Sequence, residues 1–435
     1  MLRIKTSLDE NRLNLIFFLG IILRVIVFVF QGPANNDDHL AYVQYISQHH
    51  SLPVSGLLYQ SNHPPLYYFL ASFLLPLGIK AVQALSLAFS IGTLWVIYLL
   101  IKKLEFIVPK AKPFCLLFAC TLPQFIMFGN YISNDSLAFF IGALIFFQIY
   151  RLLVRPTFLN QGILAALLGI GLAVKGTFLL FIPALILLVV SVNRGRKLSL
   201  KQSLFSLLVF IFIFTGLGAG KGINNLAHFG RPVVIMDKDL EWVKYQGPVN
   251  NGLKSLYDIN VFKLAKYPVL SEQTKHSYPL MIFGSFWYQY IPESDFKANL
   301  TGAKYLGSAI YLLALLPTFL FLLGFFRIVL SLKDLFASPG RVYPVRPAYE
   351  AAALLILLLN SLVFVIFGWR YNVYSAFQGR FLFPSFFSFI LLLNSGLIFL
   401  EARPRIWRRA VYPLIACLYL LFVAYFGVEI FNKLL

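Results

Sequence analysis

The stretch from Leu13 to Phe30 reads LNLIFFLGIILRVIVFVF and carries a single charge, Arg24. A helix of that length, at about 1.5 Å per residue, covers about 27 Å, close to the hydrocarbon thickness of a bilayer. It is too long for the apolar part of a cleavable leader and has no small-residue cleavage site, so it reads as a membrane span. Ten further runs share its character: Ala81–Ile101, Pro113–Gly129, Ser136–Tyr150, Gln161–Val174, Gly176–Val192, Ser203–Gly220, Tyr305–Phe326, Ala351–Phe367, Phe381–Leu400 and Ala410–Val428. Composition agrees, since 59% of the 435 residues are hydrophobic and only 12% are charged. Soluble domains carry about 25% charged residues. A soluble globular protein is excluded.

The formal charge of +20 sits in clusters between these runs: Arg3/Lys5/Arg12, Lys102/Lys103/Lys110/Lys112, Arg194/Arg196/Lys197/Lys201 and Arg403/Arg405/Arg408/Arg409. That is the positive-inside pattern of a membrane protein, not a surface for nucleic acid. A twelfth apolar segment, Pro64–Leu77, contains three prolines. If it crossed, the basic loops after it would move outside while the N-terminal cluster stayed inside. The charge rule therefore predicts a cytoplasmic N-terminus, about eleven spans, and a half-helix at the outer interface. The expectation is one all-α, polytopic domain over 1–435, in the plasma membrane, with two long outer segments at 31–80 and 222–303. All six histidines and most carboxylates then fall outside. Cys115, Cys120 and Cys417 lie in apolar runs and read as small core residues. No nucleotide-binding loop occurs, and no internal repeat supports a transporter of duplicated halves.

Immediately beyond the first span comes QGPANNDDHLAYVQYI, Gln31 to Ile46. The adjacent carboxylates Asp37 and Asp38 are costly so near lipid unless they face water, a cation or a substrate. Leu40, Val43 and Ile46 recur near helical spacing, which puts the pair at the start of an interfacial helix. Capping that helix and doing chemistry both fit. After His49-His50-Ser-Leu-Pro follows Tyr59-Gln-Ser-Asn-His63-Pro64-Pro65-Leu66-Tyr67-Tyr68. This acidic pair followed by H-P-P-L-Y-Y resembles the GT-C superfamily of membrane glycosyltransferases, in the branch of the protein O-mannosyltransferases and lipid A aminoarabinose transferases. Four later stretches are similar to that branch in the right order: Tyr98–Leu104, Tyr131-Ile-Ser-Asn134-Asp135-Ser-Leu-Ala138, Gly171–Thr177 with Lys175, and Gln378-Gly-Arg380-Phe-Leu-Phe-Pro384. The chain departs from the pattern where Asn35 and Asn36 precede the aspartates and His39 follows at once; many relatives have one or two residues between.

The resemblance implies a GT-C-like bundle. It also implies inverting transfer of a sugar from a polyprenyl-phosphate donor to a glycan, lipid or protein acceptor. The topology favours a lipid-borne donor independently, because the polar chemistry faces away from the cytoplasmic pool of nucleotide sugars. Such a reaction needs a base, a stabilised leaving phosphate and exclusion of water. Asp37 is the expected base with Asp38 as the alternative, and their mutual repulsion should raise one of the two pKa values. Arg380, Lys175, Arg370 and Arg24 are the expected phosphate ligands, with interfacial snorkelling as the competing role. Arg24 lies roughly 10 Å short of the outer end of its span and should pair with a carboxylate or phosphate, or snorkel. Asp135, Asn134, His39, His63, Gln378 and Tyr67 are candidates for substrate or metal. One histidine beside one acidic pair is not a metal signature, so no cofactor is assigned and a divalent cation stays open. Asp237-Lys238-Asp239 is formally D-x-D but reads as solvated surface. The aromatics Phe286 to Tyr290 either stack on sugars or, the safer reading, anchor the long loop at the interface. The competing functions are a lipid or glycolipid flippase or transporter, and a non-catalytic membrane scaffold. Transport by proton coupling would need carboxylates along the spans, which nearly lack them.

Overall fold

The computed structural model describes residues 2–33, 37–234, 249, 252–268, 271, 274–288, 301–332 and 345–434. Among them every regular element is helical. Nine of these helices are long and apolar enough to cross a membrane, and ten if the bent pair Lys112–Thr121 and Pro123–Asn130 counts as one span. The remaining expected span falls on the shorter apolar helix Phe158–Val174. At 17 residues it is about 25 Å long, slightly less than the hydrocarbon core. The chain is an all-α, multi-pass integral membrane protein.

The part of the bundle that matters here runs through α1 (Leu2–Phe30), α2 (His39–His49), α3 (Leu66–Ser72), α4 (Ile79–Lys103), α5 (Lys112–Thr121), α6 (Pro123–Asn130), α7 (Asn134–Val154) and α8 (Phe158–Val174). Caps set several starts. The Ser133 side chain accepts from the backbone N–H of Asp135 at the head of α7, and Thr157 accepts from Asn160 N–H at the head of α8. Lys80 Nζ donates to the Phe28 and Gln31 carbonyls at 2.9 and 3.0 Å. Those are terminal carbonyls of α1 without helical donors, so Lys80 ties the end of α1 to the start of α4 and closes the 31–80 segment at its base. Within that segment α3 has only 7 residues, about 10 Å of helix, and a single 3-10 turn, Leu75–Leu77, follows it. Pro64–Leu77 therefore does not span.

Pro123 interrupts the next span. Having no N–H, it cannot donate to the Ala119 carbonyl, and α5 and α6 meet at 48°. Arg24 supplies the missing donors. Its Nη2 donates to Ala119 O at 2.9 Å and its Nη1 to Cys120 O at 3.3 Å, while Nε donates to Ser90 Oγ at 3.1 Å. Arg24 is fully buried. The guanidinium neither pairs with a described carboxylate nor snorkels to the surface; backbone carbonyls freed by the proline take it instead.

Aromatic rings fill the centre, with Phe125 stacked on Phe386 at 4.0 Å. The helix Tyr278–Trp287, inside the long 222–303 segment, also enters this core. Trp287 is buried, stacks on Phe321 at 5.7 Å and donates from Nε1 to Thr318 Oγ1 at 3.0 Å. Phe286 and Tyr288 are buried too. These three aromatics thus pack the bundle rather than anchor a loop or face a sugar. Gln289, Tyr290, the Asp237-Lys238-Asp239 stretch, Asn35 and Asn36 lie outside the described residues.

Candidate functional site

Asp37 and Asp38 part company at one backbone angle. Asp38 adopts the left-handed region, φ 53 and ψ 33, which aspartate tolerates better than most residues. The chain turns there into α2. Asp38 is exposed and makes no capping bond to that helix. Asp37, its carboxyl 33% exposed, faces inward and accepts from Arg380 Nη2 at 2.8 Å. The Asp37 carbonyl accepts from Gln60 Nε2 at 2.6 Å, which fastens the acidic pair to the Tyr59–Tyr68 stretch.

Arg380 is carried by the 3-10 turn Gly379–Ser385. Two glycines let that turn wedge into the bundle. A Cβ on Gly379 would lie 2.7 Å from Phe286 Cα, and one on Gly142 of α7 would lie 2.1 Å from the Pro384 carbonyl oxygen. Gly379 N–H also donates to Ser285 Oγ at 2.8 Å. The guanidinium is held against the head of α7, with Nη1 3.5 Å from Asp135 Oδ2, and over the Phe128 ring at 4.3 Å. Asn134 Nδ2 donates to Val174 O at 3.0 Å, joining the start of α7 to the end of α8. Lys175, one residue on, pairs with Asp135 Oδ1. Asp135, Lys175, Arg380 and Asp37 thus form one chain of ion pairs. Asp135, at 3% exposure, is its innermost member. Arg380 Nε is buried and has no hydrogen-bond partner.

His39 and His63 flank the cluster with ring centroids 6.1 Å apart. His39 Nδ1 and the Tyr68 hydroxyl share a hydrogen bond of 2.8 Å. Burial pushes His39 down to about 4 and His63 down to about 3, against the upward pull of Asp37 and Asp135. Both rings are neutral at neutral pH, so two carboxylates face two cations. Burial pushes the Asp37 carboxyl up, but the charge and hydrogen bond of Arg380, helped by His39, leave Asp37 below the ordinary carboxylate value. The expected upward shift does not occur on Asp37, because the turn at Asp38 replaces a like-charged neighbour with an opposite one.

The other sequence candidates lie elsewhere. Tyr67 is buried in the core and shares a 2.8 Å hydrogen bond with Ser86 Oγ. Its neighbour Tyr68 is the tyrosine that meets His39. Arg370 forms no ion pair with a described carboxylate, and its buried Nε has no hydrogen-bond partner. Gln378 precedes the Arg380 turn without a side-chain cap. Arg24 ties α1 to the end of α5 and to Ser90 of α4, as described above. Sequence reasoning missed Gln60, Tyr68 and Phe128; the first two stand inside the Tyr59–Tyr68 stretch, but only the phase of α3 tells Tyr68 from Tyr67.

A resident divalent cation does not fit these residues. The Asp135 oxygens already face Lys175 and Arg380, and among the described residues no group of three or more His, Cys, Asp or Glu is placed to hold a metal. A scan of the chain against protein-family models finds no match, and a search of curated proteins finds none either.

Proposed function

We propose that the protein is a glycosyltransferase of GT-C type. It moves a sugar from a polyprenyl-phosphate donor to a glycan, lipid or protein acceptor on the non-cytoplasmic face of the plasma membrane. The observation that carries this reading is Asp37, partly accessible and gripped by an arginine whose Nε still lacks an acceptor. The motif order from Asp37 to Pro384 supports it as well.

In this reading the Asp37 carboxylate takes the proton of the acceptor hydroxyl as that oxygen bonds to the anomeric carbon. The anomeric carbon–oxygen bond to phosphate breaks on the opposite face, its electron pair leaves with the polyprenyl phosphate, and the configuration inverts. Arg380 and Lys175 meet the charge that develops on the leaving phosphate. Asp135 holds both cations in place. Arrival of the donor phosphate at Arg380 competes with Asp37 for the guanidinium. Releasing the carboxylate raises its basicity, so donor binding arms the base.

The test is transfer by purified protein supplied with a polyprenyl-phosphate sugar. Asp37→Asn is expected to lower turnover by about 10²–10⁴-fold while the protein stays folded. Turnover equal to wild type in that variant would reject Asp37 as the base.

A further inference from the structure

A cavity of about 660 Å³ opens between α2, α3, the ends of α8 and of the helix Leu200–Gly218, and the start of the helix Gly220–Phe229. Its walls are mainly apolar, with Ile46, Leu66, Phe69, Phe73 and Leu217 among them, and no described Asp or Glu lines it. None of Asp37, Asp135, Lys175 and Arg380 takes part. Lys221 does. It is 7% exposed, and its Nζ is buried without a hydrogen-bond partner. Burial alone pushes this ammonium down to about 8, since no carboxylate offsets it. An unpaired buried ammonium is costly to keep, and an anion brought to it would regain a charge-assisted hydrogen bond. Phe73, 65% exposed, extends the apolar wall to the molecular surface.

A buried cation on a mainly apolar wall, which also carries His50, Ser47, Ser51 and Ser72, matches a molecule with one anionic head and a hydrocarbon chain. We propose that this cavity binds a phosphate-headed lipid, with Lys221 Nζ as counter-ion to the head and Phe69, Phe73 and Leu217 against the chain. The site is separate from the ion cluster and does not rest on the glycosyl-transfer reading.

The full chain, purified in neutral detergent, is titrated with dodecyl phosphate and, in a parallel arm, with inorganic phosphate, and binding is read by calorimetry. Saturable binding of dodecyl phosphate is expected. It should weaken about tenfold or more in Lys221→Gln and be largely kept in Lys221→Arg. Inorganic phosphate should bind far more weakly. Because Arg380 is itself a phosphate ligand in the glycosyl-transfer reading, the titrations are repeated in an Arg380→Gln background, where saturable dodecyl phosphate binding should persist and still weaken with Lys221→Gln. Wild-type affinity in Lys221→Gln overturns the proposal, as does inorganic phosphate binding as tightly as dodecyl phosphate. A loss seen in Arg380→Gln alone would place the lipid at the ion cluster and also overturn it. Should Lys221→Gln fail to fold, Leu217→Trp fills the cavity with the lysine intact, and unchanged affinity there is equally fatal.

Discussion

At Asp38 the left-handed backbone would cost an ordinary L-residue about 1–2 kcal/mol, which aspartate and asparagine lessen by local hydrogen bonding. Asp38→Asn should therefore keep both fold and turnover, whereas Asp38→Val should lower the unfolding temperature and loosen Asp37 from Arg380. Thermal melts and transfer rates on the two variants check this. A second expectation concerns pH. Burial raises and Arg380 lowers the Asp37 carboxyl, with the net below its ordinary value. A base so held is deprotonated above that depressed pKa, so the acid limb of kcat/KM should lie below the ordinary range of an aspartate. Arg380→Gln removes the attraction and leaves the burial, so the limb should move to higher pH. A limb that stays put in that variant would show that Arg380 does not set the basicity of Asp37.

The clamp at the α5–α6 break makes its own prediction. Arg24→Ala leaves the Ala119 and Cys120 carbonyls without a donor in a buried place and should cost on the order of 3 kcal/mol, seen as a lower melting temperature. Donor affinity per folded molecule should not change. The wedge of the Arg380 turn is a second device. Gly142→Ala places a methyl where the Pro384 carbonyl lies and should cost about 1–3 kcal/mol and slow transfer by parting Arg380 from Asp135. Gly216→Ala has nothing within 4 Å and should be silent in both assays. These elements also show what could be read beforehand. The long helices were legible because lipid, as solvent, demands unbroken apolar runs. Arg24 was misread because its partners are backbone carbonyls, which no pattern of side chains reports. Trp287 was misread because an apolar stretch of ten residues, too short to span, looks alike at an interface and in a core. Asp37, Asp135, Lys175 and Arg380 were each singled out from motifs, but their union into one chain of ion pairs depends on helix ends that meet only in the folded bundle.

For the whole molecule, orientation is the property that most constrains the chemistry. With Cys417 replaced by alanine, the buried Cys115 and Cys120 can stay. His49→Cys in that background should react with a membrane-impermeant maleimide on intact cells, and Arg403→Cys only after permeabilisation. The reverse outcome would put the ion cluster in the cytoplasm and remove the case for a lipid-borne donor. Asp37 and its guanidinium partner are also 343 positions apart. At roughly 5–20 residues per second, a ribosome needs on the order of half a minute to reach the arginine after releasing the aspartate into the translocon. Throughout that interval the growing chain holds the Asp37 carboxylate without its counter-charge, so the chain of ion pairs closes only when the penultimate membrane segment is threaded.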